Sequence, residues 1–360
     1  MKIALIVPSK INCGIADYSM DLRGAYKGEM DLIHDPLFKA AEYDILHVQF
    51  EAVLFRKNRT TLFPRLMQNN SEKVKIVTVH EVWDDNPYIE KRPVEGGLIN
   101  FIRKIRYDFR HALEYREERL ARLRYLSDAV IVHTRNAKQV LTKKGCDPEI
   151  IHVIPMPVFD RRPDPRSVPG LTVKKDKLVA LMFGFITPAT DYDTVLKAFT
   201  EVKNIYTLVI AGGTRRPEDV AFSSQLDHKI EELGLSAHVV KLGHVASKDL
   251  DALFTSANIF IHAPKIKTAS SALANALGAG LPVIASEGNQ VLEINAEHNC
   301  IRTFTPGDTD KIVLHMRELV DKDERVKARE RIRFYAEEHT LDKFAESHLS
   351  LYRRLLEHRN

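Results

Sequence analysis

Short apolar segments alternate with helical patterns along this chain, and the alternation occurs in two successive series. The first series contains KIALIVPS, DILHVQF, KIVTVHE, DAVIVHT and IHVIPMPV, and the second contains LVALMFGFI, YTLVIAGG, HVVKLGHV, NIFIHAP and LPVIAS. Continuous apolar strands separated by helices are typical of parallel sheets that helices cover on both faces. The sequence therefore predicts an α/β chain with two doubly wound, Rossmann-like domains.

A segment rich in proline and charge, PVFDRRPDPRSVPGLTVKKDK, separates the two series and suits an exposed linker. With 360 residues, the chain is long enough for two domains that each bury a core. We expect an N-terminal domain over residues 1–168 and a second domain over residues 169–338. The remaining residues, 339–360, form an amphipathic helical pattern.

Charge and cysteine content narrow the classes of function. The formal net charge of +4 is too small to indicate nucleic acid binding, although it is compatible with a phosphorylated ligand or an anionic membrane surface. Cys13, Cys146 and Cys300 are far apart and show no CxxC spacing, so a disulfide framework or a zinc site is not expected. The N-terminus has the pattern of a first strand, and no apolar run is long enough to span a membrane. These features predict a cytoplasmic protein.

The residues that follow each strand are the first candidates for a site, because ligands of open α/β sheets bind at the carboxyl ends of the strands. With two such domains, we expect the site in a cleft between them. Gly14 follows the first strand, and the helix after it can hold a phosphate or a sugar hydroxyl through backbone N–H groups. Gly212 and Gly213 end another strand and allow a nucleotide to approach the backbone closely. A plain turn explains all three glycines equally well.

His80 and Glu81 follow the strand KIVTVHE. A neutral histidine there can hydrogen-bond a sugar hydroxyl or act as an acid or base. The alternative is a histidine that only anchors the loop. The polar residues of HVQFE invite the same two interpretations, and the structural one is favoured for them.

Residues 97–126 have a long helical pattern with many arginines. A basic amphipathic helix can bind anionic lipid headgroups at the membrane surface. Glutamates interrupt the basic charge in the second half of the segment, so a solvated helix face is the favoured interpretation. Peripheral contact with the inner face of a membrane stays open.

Taken in order, several motifs resemble the retaining glycosyltransferases of the family-4 type, which have the GT-B fold. They are CGIADYS, HVQFE, VTVHE, VIVHT, HVIPMPV, FGFITP, LVIAGG, LGHVASKDLDALFTSANIFIHAP, KIKTASSALANALGAGLPVIAS and TPGDTDKI. The resemblance implies transfer of a sugar from a nucleotide-sugar donor, UDP- or GDP-linked, to an acceptor hydroxyl of a glycan or a lipid-linked glycan. It implies a donor site on the C-terminal domain, an acceptor site on the N-terminal domain, a last helix that packs back on the N-terminal domain, and no metal or other cofactor.

The same resemblance assigns roles to individual residues. His80 corresponds to the histidine near the donor sugar, and Gly14 corresponds to the glycine near the diphosphate. Asn12 and Glu81 are expected on the acceptor side. In the segment after residue 266, the family's signature has two glutamates that hold the donor sugar and the ribose, with helix N–H groups between them. The corresponding donor-binding residues here are Lys267, Thr268, Ala269, Ser270, Ser271 and Asn275.

Four positions depart from the family pattern in charge. Lys267 and Asn275 occupy the two glutamate positions, and Thr187 and Thr190 occupy positions where relatives often carry an arginine and a lysine for the diphosphate. Asn275 can still hydrogen-bond a ribose hydroxyl, whereas Lys267 can hold a phosphate or a carboxylate. Candidates to replace the missing cations are Lys265, Lys267 and Arg215.

These departures leave two functions open. One is an active glycosyltransferase with an unusual donor site that includes Thr187, Thr190, Gly212 and Gly213. The other is a catalytically silent GT-B protein that acts as a partner subunit or a sugar-nucleotide binding module. Other GT-B enzymes, such as epimerases and phosphorylases, are a more distant alternative.

Overall fold

The computed structural model describes residues 1–7, 14–50, 55–57, 60–82, 123–214, 217–265 and 269–359. The chain divides into two compact units, Met1–Pro155 together with Leu341–Asn360, and Met156–Thr340. The division lies before the linker boundary expected near residue 168, because Val158 and Val168 are already buried in the core of the second unit.

The first unit is built on a six-stranded parallel sheet with the strand order β2-β1-β3-β6-β7-β8. A two-residue antiparallel pair, β4 and β5, lies outside this sheet. The described elements are β1 (Lys2–Ile6), α1 (Gly14–Ala25), β2 (Glu29–Ile33), β3 (Ile45–Phe50), β4 (Arg56–Lys57), β5 (Thr60–Thr61), α2 (Phe63–Asn69), β6 (Val74–Val79), α3 (Leu123–Leu126), β7 (Ala129–Val132), α4 (Arg135–Lys143), a 3-10 turn (Pro148–Ile150), β8 (Ile151–Val153) and, after the second unit, α12 (Leu341–Glu357).

The second unit has its own six-stranded parallel sheet, with the order β11-β10-β9-β12-β13-β14. Its described elements are β9 (Leu178–Phe183), α5 (Tyr192–Thr200), β10 (Tyr206–Ala211), α6 (Pro217–Glu232), β11 (Val239–Gly243), a 3-10 turn (Ser247–Asp249), α7 (Leu250–Ser256), β12 (Ile259–His262), α8 (Ser271–Gly278), β13 (Val283–Ser286), α9 (Asn289–His298), β14 (Ile301–Phe304), α10 (Thr309–Glu318) and α11 (Lys322–Glu338).

All ten predicted strands are confirmed, and each unit has one further strand in its sheet. β2 (EMDLI) and β14 (IRTF) carry charged residues and have few fully buried positions. Both lie at an edge of their sheet. Edge strands tolerate such polar residues because one side of the strand lacks a partner, so their sequences lack the continuous apolar pattern of the central strands.

The last helix, α12, belongs to the first unit, where it packs against α1. The ring of Tyr18 contacts that of Phe344 edge-on with centroids 5.2 Å apart, and Tyr18 is 2% exposed. Elsewhere in this unit, the side chain of Asn70, which directly follows α2, hydrogen-bonds three backbone groups. Its side chain accepts from the Ala40 N–H and donates to the carbonyls of Phe38 and Leu66.

Candidate functional site

Two glycines bring neighbouring loops together at the carboxyl edge of the second sheet. Gly184 follows β9 and Gly212 follows β10, with φ of +132° and +147°. The Gly184 N–H donates to the Ala211 carbonyl over 3.0 Å, and the Gly212 N–H donates to the Gly243 carbonyl over 2.7 Å. A Cβ on Gly212 would lie 1.7 Å from the Gly184 carbonyl oxygen. Only glycine allows the two backbones to approach this closely.

Thr187 and Thr190 lie in the loop between β9 and α5, and both are half-buried. The Thr190 N–H donates to the Thr187 carbonyl, and Thr190 forms an antiparallel bridge with Pro264 after β12. Beside this bridge, the Lys265 N–H donates to the Ala189 carbonyl over 2.7 Å. The backbone of the exposed Lys265 is therefore fixed next to the loop that contains Thr187 and Thr190.

Helix α8 begins at this same edge of the sheet. Ser270 is its N-cap, and the Ser270 hydroxyl accepts from the Leu273 N–H. The Ser270 N–H donates to the side chain of Gln290 in α9 over 3.0 Å. These bonds fix the predicted donor-binding residues Ala269, Ser270 and Ser271 at the start of a helix, where the backbone N–H groups favour an anion.

Asn275, predicted to contact the ribose, is 6% exposed and lies one turn into α8. Its amide oxygen accepts from the Arg161 Nε over 2.7 Å, and its amide nitrogen donates to the Ser271 carbonyl over 2.7 Å. Arg161 also forms an ion pair with Asp251 over 3.1 Å. Each end of the amide has one remaining hydrogen-bonding position, so a ribose contact is chemically possible and stays a prediction.

His80 follows β6 in the first unit, and both of its ring nitrogens have protein partners. Its Nε2 lies 2.7 Å from the amide oxygen of Gln49, and its Nδ1 lies 3.4 Å from the Nε2 of His133. The Nδ1 of His133 is 2.9 Å from the Ile154 carbonyl oxygen, so it carries the proton and the Nε2 of His133 is an acceptor. A neutral His80 can donate to only one of its two acceptors. When His80 donates to Gln49 over the shorter distance, its Nδ1 and the Nε2 of His133 are both acceptors and form no hydrogen bond with each other.

Gln49 connects His80 to a second buried histidine. The Gln49 amide nitrogen is 3.4 Å from the Nε2 of His47, and His47 also contacts Thr78 and Tyr352 over 2.7 Å each. His47, Gln49 and Thr78 are all fully buried. His47 and Gln49 of HVQFE thus have the structural role that the sequence favoured, and Gln49 also orients His80. Glu51 of the same motif lies outside the described residues.

Burial keeps these histidines neutral. It lowers the pKa of His80 well below the ordinary value, and the neighbouring His133 and His47 lower it further. Burial likewise lowers the pKa of His133 to about 4. Because an imidazolium would be desolvated here, His80 is a hydrogen-bonding group rather than a cation at neutral pH.

The remaining predicted residues have separate outcomes. Gly14 begins α1, as expected for a glycine at the start of the first helix, and the half-buried Glu81 directly follows His80. Gly213 accepts a hydrogen bond from the Ile186 N–H, so it helps to hold the loop after β9. Four predicted residues lie outside the described part of the chain, as does nearly all of the basic segment 97–126: Asn12, Arg215, Lys267 and Thr268.

The comparison with protein families matches the second unit. The family described as "Glycosyl transferases group 1" matches residues 165–339, which cover the second sheet and its flanking helices. The match covers slightly less than half of the chain, and it shows similarity to this family over the second unit. The glycine-lined loops and the start of α8 lie within the matched segment.

Two curated relatives match parts of this chain. The MMP alpha-(1->4)-mannosyltransferase of Mycolicibacterium hassiacum is 23% identical over 253 residues, which are 68% of this chain and 56% of the relative. The D-inositol 3-phosphate glycosyltransferase of Mycobacterium tuberculosis is 31% identical over 168 residues, 44% of this chain and 34% of the relative. The chain thus spans about half or less of the length of these relatives.

A solved structure extends the similarity to both units. The Anabaena protein HepE in complex with UDP-glucose has a TM-score of 0.73 and 14% identity, and the match covers 97% of this chain and 99% of that one. The chain therefore has the GT-B fold predicted from its motifs. Among the helices described here, none is both long and apolar enough to cross a membrane.

Proposed function

We propose that the second unit is a glycosyl transferases group 1 domain that binds a nucleotide-sugar donor, and that the chain transfers the sugar to an acceptor hydroxyl. The observation that supports this most directly is the close approach of the loops at Gly184 and Gly212 beside the start of α8. Bare backbone and helix N–H groups at the carboxyl edge of a parallel sheet suit a phosphate-containing ligand. The neighbour HepE contains UDP-glucose, which supports a donor of the same class.

Lys265 is the described residue best placed to replace a missing cation at the diphosphate. Its backbone is bonded to the loop that contains Thr187 and Thr190, and its side chain is exposed. A charge-assisted hydrogen bond to phosphate contributes about 1.5–3 kcal/mol, or roughly 10- to 100-fold in affinity. We propose that Lys265 supplies this contact, and Lys267, outside the described residues, stays a second candidate.

His80 is proposed to act on the donor sugar as a neutral hydrogen-bonding group. Its low pKa keeps the imidazole uncharged at neutral pH, and the hydrogen bond with Gln49 fixes the orientation of the ring. The sugar is proposed to contact the Nδ1 of His80, because this nitrogen lies 3.4 Å from the His133 Nε2, whereas the His80 Nε2 has the shorter contact of 2.7 Å with Gln49. The identity of the acceptor, its expected lipid linkage and any contact with a membrane surface stay predictions.

The experiment begins with donor binding. The purified chain is titrated with UDP, GDP, UDP-sugars and GDP-sugars, with affinity measured by calorimetry and turnover by nucleotide release in the presence of glycan acceptors. We expect one nucleotide series to bind and Lys265→Ala to weaken it at least ten-fold. Lys197→Ala, a change of an exposed lysine in α5, is the control and leaves affinity unchanged. Failure of every nucleotide to bind would refute the proposal.

A second candidate function is a silent GT-B protein that binds a nucleotide sugar without transfer. It is favoured by the existing partners of His80 and Asn275, and by the uncharged Thr187 and Thr190. The same titration separates the two functions. Binding with no nucleotide release across the acceptor panel, and with release equally absent in His80→Ala, supports the silent protein. Release that His80→Ala abolishes supports the transferase.

A further inference from the structure

Three side chains with metal-binding atoms meet in the second unit. His298 is the last residue of α9, Glu338 is the last residue of α11, and His339 follows directly. The Nε2 of His298 is 3.5 Å from a carboxylate oxygen of Glu338. One ligand atom from each of the three residues lies within 4.8 Å of the others.

The hydrogen bonding of His339 leaves its Nε2 available to bind a metal ion. Its Nδ1 is 2.9 Å from the Tyr335 carbonyl oxygen, which accepts only from a protonated nitrogen. In the neutral ring, Nε2 therefore carries the lone pair. A histidine that donates one ring N–H to a backbone carbonyl is the usual form of a metal ligand, because that bond fixes both the tautomer and the ring orientation.

Tyr335 holds both imidazoles in place. Its ring stacks on that of His339 with centroids 4.1 Å apart, and it meets the His298 ring edge-on at 5.2 Å. Tyr335 is 4% exposed and belongs to the core of the second unit. Two ligands are therefore preorganised by a rigid aromatic ring, while the exposed Glu338 can adjust.

The cluster lies away from the candidate donor site. His298 precedes β14, so it lies at the amino edge of the second sheet, whereas the glycine-lined loops follow the carboxyl ends of the strands. The His339 carbonyl accepts from the Val158 N–H over 2.8 Å, close to both ends of the segment that forms the second unit. A metal here would link α9 and α11 to the point where the chain leaves this unit.

We propose that His298, Glu338 and His339 form a binding site for a zinc-class divalent metal ion. Two imidazoles, one carboxylate and a water complete a four-coordinate zinc site. Bonds of that type place ligand atoms roughly 3.4 Å apart, close to the separation between His298 and Glu338. Imidazole ligands favour zinc, copper and nickel over magnesium and calcium. Because the cluster lies at the amino edge of the sheet, away from the glycine-lined loops, the proposed ion holds the end of α11 and takes no part in sugar transfer.

The simpler alternative is an ion pair between protonated His298 and Glu338 that needs no metal. The two possibilities differ in their response to added metal. The test uses the full chain without a polyhistidine tag, stripped of metal with a chelator and then dialysed. Co²⁺ is titrated as a visible probe, Zn²⁺ affinity is measured by competition and calorimetry, and the thermal transition is followed with Zn²⁺ and with Mg²⁺.

We expect one equivalent of Co²⁺ to give the intense visible spectrum of a four-coordinate site, and Zn²⁺ to displace it and raise Tm, while Mg²⁺ does neither. Glu338→Gln and His298→Gln should each weaken Zn²⁺ binding at least ten-fold. Glu337→Gln is the matched control, because Glu337 is the adjacent exposed carboxylate and pairs with Arg333, and it should bind as the native chain does.

Glu338→Gln keeps the test informative if His298→Gln fails to fold, because the Glu338 side chain is exposed and keeps its shape as glutamine. Without metal, its Tm should equal that of the native chain. The proposal is overturned if Co²⁺ gives no stoichiometric spectrum, or if Glu338→Gln and Glu337→Gln bind Zn²⁺ equally well.

Discussion

Gly212→Ala is the substitution whose effect the structure defines most sharply. The residue combines a φ of +147° with a backbone neighbour on the side where the new methyl group would lie. Gly213, the next residue, is the matched control, because a Cβ there would meet its nearest atoms, in His244, at 3.8 Å. The two alanine variants differ by one position and one methyl group is added in each.

The expected cost has two sources. Alanine at this φ is strained by about 1–3 kcal/mol. Its Cβ would lie 1.7 Å from the Gly184 carbonyl oxygen, so the two loops must separate, and overpacking of this kind costs about 1–3 kcal/mol. We therefore expect Gly212→Ala to lower the stability of the second unit by about 4 kcal/mol, or roughly 8–16 °C in Tm. Gly213→Ala should stay within about 1 kcal/mol of the native chain.

The assay is native-state hydrogen exchange with peptide resolution, supported by thermal unfolding, because a chain with two compact units need not unfold in one step. Peptides from β9 and β10 report the second unit, and peptides from β3 and β6 report the first unit as an internal control. Donor binding should fall with Gly212→Ala and not with Gly213→Ala. Equal protection of the β10 peptides in both variants would refute this reasoning, because it would show that the close approach to the Gly184 carbonyl does not make a side chain at position 212 unfavourable.

Three further predictions concern buried polar groups. Asn70→Ala should lower the unfolding free energy of the first unit by about 3 kcal/mol, because three hydrogen bonds are lost and their buried partners stay unpaired. A decrease of less than about 1 kcal/mol in the free energy of urea unfolding would contradict this prediction. Burial lowers the pKa of His133 and His348 to about 4 from 6.5, so the unfolded chain binds protons that the folded chain does not. Stability of the first unit should therefore fall as pH drops from 6.5 to about 4, and a flat profile of Tm against pH would contradict it. Arg161→Met and Asn275→Ala should each lower the unfolding free energy of the second unit, because the two side chains share a hydrogen bond. The double variant should lose less unfolding free energy than the sum of the two single losses, by about 0.5–3 kcal/mol. Additive losses would show that the two side chains do not stabilise each other.

The central strands were predictable because a strand that is buried on both faces consists of consecutive apolar residues. LVALMFGFI and YTLVIAGG each specify a buried parallel strand followed by a glycine, and both strands lie in the middle of the second sheet. The edge strands β2 and β14 were missed, since half of their surface has no strand partner and their residues are mixed. The GT-B fold was predicted from the resemblance of the motifs, taken in order, to a known family.

The unit boundary was less predictable from composition. The proline-rich segment indicates a linker, yet Phe159 and its neighbours pack on the second unit, and a Cβ on Gly278 would lie 1.9 Å from the Phe159 carbonyl oxygen. Sequence alone identifies a segment that cannot continue a helix or strand. It does not determine which of two cores that segment covers.

The sequence by itself determined the two parallel sheets and the loops that follow their strands, with His80 and Gly212 at strand ends, because strand periodicity and chain order are local properties. Asn275 became a candidate only through the resemblance to a known family. Only the tertiary structure decided the partners of these residues. Gln49 and His133 contact His80, and Arg161 occupies one side of Asn275.

The cluster of His298, Glu338 and His339 is another case in which only the tertiary structure decides which residues meet. Glu338 lies forty positions after His298 in the sequence, and no spacing rule connects them. They meet because α9 and α11 pack on the same core and end side by side, with the ring of Tyr335 in contact with both histidine rings. Such contacts depend on which faces of distant helices bury together, and that information lies in the packing rather than in any local pattern.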